Sequence, residues 1–222
     1  MTEADWLALD RVNTPHMDWL RRRGSRRKFF LAAAAWARQV EDRMTGPRFR
    51  DLLPAVEAYA DGSRTADELT RQVRRAEDVY YERTEELQRV GLSPTAAVRQ
   101  LAADVVALQA ADPRDAWIAA INALKAAGGV GKKGLRSQQA AVLHDIFGNP
   151  FRPVAFDSAW RTSTAAGLAE SMYSSRDFAA MPILADALEE AGCDNPDVLA
   201  HCRGPGPHVR GCWVVDLVLG KV

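Results

Sequence analysis

Residues 65–91 read TADELTRQVRRAEDVYYERTEELQRVG, a pattern that predicts one long amphipathic helix. Thr65 followed by Glu68 is a capping box, in which the two side chains accept backbone N–H groups at the start of a helix. From Leu69 to Leu87, apolar side chains recur every three or four residues, which is the spacing of one helical face. A glycine closes the stretch, as it commonly does at helix ends. We therefore predict that a single helix spans nearly all of it.

The same start signals recur along the chain. Thr14-Pro15, Ser93-Pro94 and Asp112-Pro113 each place an N-cap residue before a proline at the first helical position. After Ser93-Pro94, one predicted helix carries an apolar face made of Val98, Leu101, Val105 and Leu108. These repeated signals predict an all-α protein built as a multi-helix bundle.

The last apolar segment, from Cys212 to Leu219, is rich in β-branched residues, so its propensity would allow either a strand or a helix. We predict a helix, because a lone strand in a helical protein has no neighbour for its backbone hydrogen bonds.

The glycine- and lysine-rich residues 128–136 predict a flexible joint. We expect an N-terminal helical region at residues 1–127. We expect a C-terminal helical cap with Pro/Gly-rich loops at residues 137–222, with the two packed as one unit.

Composition excludes few functions. The chain has 222 residues with 29 basic and 29 acidic side chains, so its net charge favours neither nucleic acid nor membrane. No apolar run approaches the roughly 20 residues that cross a bilayer, and the acidic N-terminus lacks a signal-peptide pattern. Three cysteines are too few for a secreted disulfide framework. We expect a cytoplasmic protein with reduced thiols and no membrane partner.

All three cysteines and two of the four histidines lie close together near the C-terminus, and they are candidate zinc ligands. These residues are Cys193, His201, Cys202, His208 and Cys212. The spacing lacks the close cysteine pair of most structural zinc sites, and adjacent residues on a helix point about 100° apart, which separates His201 from Cys202. Two alternatives remain open: cysteines that pack as small apolar residues, and a Cys–His nucleophile.

A basic cluster is a candidate binding surface for phosphate or nucleic acid. It consists of Arg21, Arg22, Arg23, Arg26, Arg27 and Lys28. The last three residues begin a predicted helix, where cations are unfavourable and an anion would compensate them. A solvated or internally paired surface is the alternative.

Known catalytic motifs are missing from the sequence. It contains neither G-x-S-x-G nor H-E-x-x-H, and Gly131-Lys132-Lys133 lacks both the first glycine and the final hydroxyl residue of a phosphate-binding loop. We therefore expect a non-enzymatic scaffold or interaction module, which binds a protein partner or a second copy of itself. A nucleic-acid or phosphate binder and a small metalloprotein are the alternatives, and no cofactor is expected beyond zinc.

Three motifs lie towards the two ends of the chain: MTEADWL at residues 1–7, DIFGNPFRP at residues 145–153 and HVRGCWVVDLVLGK at residues 208–221. They resemble motifs of an uncharacterised family of planctomycete proteins. The resemblance implies no catalytic residues, because none is assigned in that family. Relatives often carry a Cys-Cys pair where this chain has Ala33-Ala34-Ala35, a departure that argues against a metal ligand set shared with them. Residues 184–192 also resemble, more weakly, a helix of a repeat-companion domain, which points towards interaction modules.

Overall fold

The structure is a computed structural model that describes residues 1–221, and within that range it contains helices and no strand. The predicted all-α fold is confirmed. The chain divides into two compact units, one formed by residues 10–139 and the other by residues 1–9 together with residues 140–222. The division falls inside a helix, a few residues after the predicted joint. No helix in the described range is long and apolar enough to cross a membrane.

The unit of residues 10–139 is built around one buried helix. Its helices are α2 (Thr14–Arg21), α3 (Arg26–Arg38), α4 (Pro47–Arg50), α5 (Leu52–Ala60), α6 (Ala66–Arg89), α7 (Pro94–Gln100), α8 (Ala102–Ala110) and α9 (Ala116–Gly129). Every residue of α3 from Phe29 to Ala37 is buried, and α5, α8 and α9 pack around it. Four consecutive alanines, residues 32–35, allow this close approach because their side chains are small.

The long helix predicted at residues 65–91 is α6. Thr65 and Glu68 form the expected capping box. Only Leu69 and Ala76 of α6 are buried, and its other residues are exposed or partly exposed. The single helix predicted after Ser93-Pro94 is instead two helices, α7 and α8. They separate at Leu101, where the backbone leaves helical geometry with φ −96° and ψ 16°.

The second unit combines the N-terminal helix with the C-terminal third of the chain. Its helices are α1 (Glu3–Leu7), the end of α10 (Leu135–Phe147), α11 (Ser163–Ser175), α12 (Met181–Glu190), α13 (Pro196–Arg203) and α14 (Trp213–Leu219). The segment predicted as helix rather than strand is α14, which confirms that prediction.

A single apolar core holds α11 to α14 together. Met172, Leu184, Leu188 and Val215 are among its members, and each is almost fully buried. Residues 204–211, between α13 and α14, are not members of this core, whereas Cys212 is. They form an irregular segment that crosses the surface of the unit and carries part of the site described next.

Candidate metal centre

Asp145 is a buried carboxylate in the last turn of α10, with a side chain that is only 2% exposed. This is an unfavourable place for a negative charge, because the C-terminal end of a helix carries partial negative charge itself. A buried carboxylate also requires partners that replace its water shell. Its partners here are two histidines and one backbone N–H. The position therefore calls for positive charge near the carboxylate.

Three further side chains reach Asp145 from the C-terminal part of the unit. His201 lies in the last turn of α13, whose start is capped by Asn195. His208 lies in the irregular segment after α13, and Cys212 is the N-cap residue of α14. The donor atoms of Asp145, His201, His208 and Cys212 all lie within 4.8 Å of one another.

The individual contacts are short and share atoms. Nε2 of His201 lies 3.1 Å from Oδ1 of Asp145 and 3.2 Å from Sγ of Cys212. Nδ1 of His208 lies 2.9 Å from the same Oδ1. Four potential donor atoms thus surround one small volume.

These contacts match what a tetrahedral zinc ion requires. Zinc bonds of about 2.0–2.1 Å to nitrogen or oxygen and about 2.3 Å to sulfur place neighbouring ligand atoms roughly 3.3–3.6 Å apart. Three of the observed separations, at 2.9–3.2 Å, are slightly shorter, and all four donor atoms lie within 4.8 Å of one another, so small movements of the side chains would admit the ion. The donors present, one thiol, two imidazoles and one carboxylate, are all ordinary zinc ligands.

A Cys–His nucleophile requires a different arrangement. In such a pair, the base receives the thiol proton on one ring nitrogen while an acidic residue holds the other nitrogen. Here Sγ of Cys212 and Oδ1 of Asp145 both approach Nε2 of His201. One ring nitrogen cannot serve both roles, whereas a metal ion between the three atoms would contact all of them.

The acid–base properties of the cluster also speak against an activated thiol. Burial, together with the nearby Asp145 carboxylate, raises the pKa of the Cys212 thiol well above its usual value. Burial alone would raise the pKa of Asp145 too, but hydrogen bonds with His201, His208 and the Val209 backbone outweigh it and lower that pKa. A thiol that holds its proton this firmly is a poor nucleophile until a metal ion displaces the proton.

The orientation of His208 is fixed by a glycine turn. A Cβ atom on Gly206 would lie 2.9 Å from the backbone nitrogen of His208 and 3.3 Å from its Cδ2, and Gly206 has φ +74°. The Cδ2–Nε2 edge of the ring therefore faces Gly206, and Nδ1 faces Asp145. Nε2 is buried and has no hydrogen-bond partner within residues 1–221.

A second layer of side chains supports the ligands. The ring of Trp213 lies 5.1 Å from that of His201, centre to centre, and also covers Gly148 just after α10. The carbonyl oxygen of Gly148 accepts a hydrogen bond from Nε1 of Trp6 in α1 at 3.0 Å. The N-terminal helix is thereby tied to the end of the helix that carries Asp145.

The structure brings together three of the five residues singled out as metal candidates: His201, His208 and Cys212. Cys193 and Cys202 are also buried, but they lie in the apolar core outside the ligand group. Burial, with the nearby Cys193 and Asp145, raises the pKa of Cys202 to about 12. This is how a cysteine that packs as an apolar residue behaves. All three cysteines are free thiols.

The fourth donor, Asp145, was missed as a ligand by the sequence analysis. It is far from the others along the chain, and no motif links it to them. One signal was present in the sequence around Asp145. Val142, Leu143 and Ile146 are buried neighbours at helical spacing, so Asp145 lies on the apolar side of its helix. An acidic residue in that position requires a buried partner.

The basic cluster, by contrast, is largely engaged with neighbours inside the unit of residues 10–139. The guanidinium groups of Arg21 and Arg23 lie over the rings of Trp117 and Trp19, at 4.4 Å and 4.0 Å. Arg26 donates hydrogen bonds to the Tyr59 hydroxyl and to the carbonyl oxygen of Pro113.

Arg27 forms an ion pair of 2.8 Å with Asp61, and both side chains are mostly buried. The backbone N–H of Lys28 donates to Ser25, which caps α3. Arg22 is exposed. The anion that compensates the charge of Arg27 is therefore the carboxylate of Asp61, a residue of the same chain.

Comparison with protein-family models, with curated proteins and with solved structures gave no significant match for this chain. The resemblance to a planctomycete family stays a prediction.

Proposed function

We propose that this protein is a non-enzymatic helical module that binds one zinc ion through Asp145, His201, His208 and Cys212. The observation that carries the proposal is the shared contact at Nε2 of His201, which both the Asp145 carboxylate and the Cys212 thiol approach within 3.2 Å. Hydrogen bonds alone satisfy this arrangement poorly, because a ring nitrogen either donates one proton or accepts one. A central cation satisfies all the donors at once.

Zinc is favoured by the chemistry of the donors. Calcium and magnesium prefer sites made of oxygen atoms, and copper(I) prefers sulfur ligands. One thiolate with two imidazoles and a carboxylate is a borderline set, which suits a tetrahedral zinc ion. The burial of Asp145 also favours a cation, because it leaves the negative charge of this carboxylate little access to water.

A structural role is favoured over a catalytic one. Catalytic zinc sites usually have three protein ligands and keep a fourth position for water or substrate, whereas this site offers four protein ligands. His201 is the most exposed of the histidine and aspartate ligands, with 19% of its side chain accessible, and Trp213 packs against its ring. The scaffold or interaction role proposed from the sequence is compatible with such an ion.

Metal content tests the proposal directly. The full chain, purified without a histidine tag and dialysed against metal-free buffer, is expected to retain about one zinc ion per chain by elemental analysis. His201→Asn is expected to lose the ion, while His16→Asn, in the exposed cap of α2, retains it. The proposal is wrong if the unchanged protein, after incubation with zinc and dialysis, holds no stoichiometric metal.

A further inference from the structure

We infer that the bound ion controls the order of the irregular segment between α13 and α14, residues 204–212, and that metal loss releases this segment while the rest of the unit stays folded. The inference rests on the proposed function, because it assigns a regulatory consequence to the same site.

The segment buries little apolar surface of its own. It contains Pro205, Gly206 and Pro207, and none of residues 204–211 belongs to the apolar core of the unit. The guanidinium group of Arg210, which is partly exposed, lies 4.3 Å from the centre of the buried Tyr173 ring. Such a segment has little apolar burial to offset the entropy lost on ordering.

Three contacts of the segment involve the proposed metal ligands. His208 and the backbone N–H of Val209 both bind the Asp145 carboxylate, at 2.9 Å and 2.8 Å. At the far end, Cys212 contacts His201. An ion at this point would join the segment to α10 and α13 simultaneously. Without the ion, only hydrogen bonds to Asp145 and His201 remain at this point, and they hold the segment less firmly than metal bonds would.

The helices around the segment have independent support. Residues of α11, α12, α13 and α14 share the apolar core, and Val214, Val215 and Val218 anchor α14 immediately after Cys212. Burial of this kind does not depend on the metal. We therefore expect a local opening rather than unfolding of the unit, with the helices retained on both sides.

Hydrogen exchange followed by mass spectrometry on the full chain tests this inference. Zinc-loaded protein is compared with protein stripped by a chelator, after elemental analysis of both samples. Amides of residues 204–212 are expected to exchange at least about ten-fold faster without zinc, with Val209 among the most affected. Peptides from α9 in the other unit and from α12 in the same unit should exchange at unchanged rates.

The possible results separate the two proposals. If zinc binds stoichiometrically but residues 204–212 exchange equally fast with and without it, the inference is wrong and the proposed function stands. If α11 and α12 lose protection together with the segment, the opening is not local and the inference is also wrong. If no metal binds, both proposals fall. Asp186→Asn, an exposed change on α12, serves as the control variant and should reproduce the unchanged protein.

Discussion

The backbone N–H of Val209 lies 2.8 Å from Oδ2 of Asp145, so the two oxygens of this carboxylate face different partners. Oδ1 faces the rings of His201 and His208. Because Oδ2 is already occupied, an ion at the site would bind the carboxylate through one oxygen. That mode fits a four-coordinate zinc ion, whereas calcium sites often use both oxygens of a carboxylate.

Asp145→Asn should weaken zinc binding strongly. The amide keeps the size of the side chain and an acceptor for Val209, but it removes the negative charge. We expect a loss of at least about 100-fold in affinity, since outer-shell changes alone typically cost 10–100-fold. Competition with a chromophoric chelator measures this loss. Asp186→Asn, a change at an exposed partner of Arg203, should leave the affinity unchanged; equal affinities for both variants would contradict the assignment of Asp145.

Cobalt substitution should identify the thiol ligand. Tetrahedral Co²⁺ bound to a thiolate absorbs in the visible range and adds a near-ultraviolet charge-transfer band. We expect Cys212→Ser to lose the charge-transfer band, because oxygen replaces the sulfur donor. Cys202→Ser should keep the band although its position is equally buried. A band that disappears in the Cys202 variant instead would move the site to a different cysteine.

Gly206→Ala should disturb the ligand orientation. An alanine at φ +74° is strained by roughly 1–2 kcal/mol, and its Cβ would press on His208. We expect lower stability and lower zinc affinity together. Gly192→Ala is the matched control, because Gly192 has φ +88° but open space around the added atom. Thermal unfolding should detect a loss for both variants, whereas reduced zinc affinity should appear only for Gly206→Ala.

Much of the fold could be predicted from local signals, because helix starts depend on residues close together in the chain. Thr65 and Glu68 form the expected cap, and the segment that ends at Leu219 is helical as predicted. The break at Leu101 could not be predicted, because the helical spacing of apolar residues continues from Val98 to Leu108 on both sides of the break. The site was predicted only in part: the residue types singled out His201 and Cys212, but the partnership with Asp145 depends on tertiary contact.

Asp61→Asn tests whether the basic cluster is satisfied within the chain. Arg27 and Asp61 are mostly buried, so removing the carboxylate charge should destabilise the protein by about 3 kcal/mol. Glu85→Gln, which breaks the exposed pair with Arg89, should cost less than about 1 kcal/mol. Urea denaturation measures both effects. A small and equal effect would mean that Arg27 does not depend on Asp61, and internal pairing would then not account for the charge of this cluster.

Asp104 should give the folded protein a distinctive pH dependence. This buried residue of α8 accepts two hydrogen bonds from Thr45, and burial raises its pKa. The folded state therefore holds the Asp104 proton more tightly than the unfolded state, so this contribution to the free energy of unfolding falls as the pH rises from the ordinary pKa through the raised one.

The difference between the unchanged protein and Asp104→Asn isolates this contribution. We expect the free energy of unfolding of the unchanged protein to fall relative to that of the variant across this pH window and then to level off. Denaturation at a series of pH values provides the measurement. Asp78→Asn, an exposed change on α6, should give a nearly constant difference. If the free energy of unfolding of the unchanged protein instead rose relative to that of Asp104→Asn as the pH increased, the raised pKa of Asp104 would be contradicted.

The order of the four donors along the chain has a consequence for synthesis. Asp145 is made first of the four, and His201, His208 and Cys212 follow more than 50 residues later, within twelve residues of one another. A ribosome therefore completes the first unit and most of the second before any pair of proposed ligands from the C-terminal part can meet the carboxylate. The complete set of four donors would then exist only after translation has passed residue 212, and a chain cut short before His201 would carry Asp145 with none of its three proposed co-ligands.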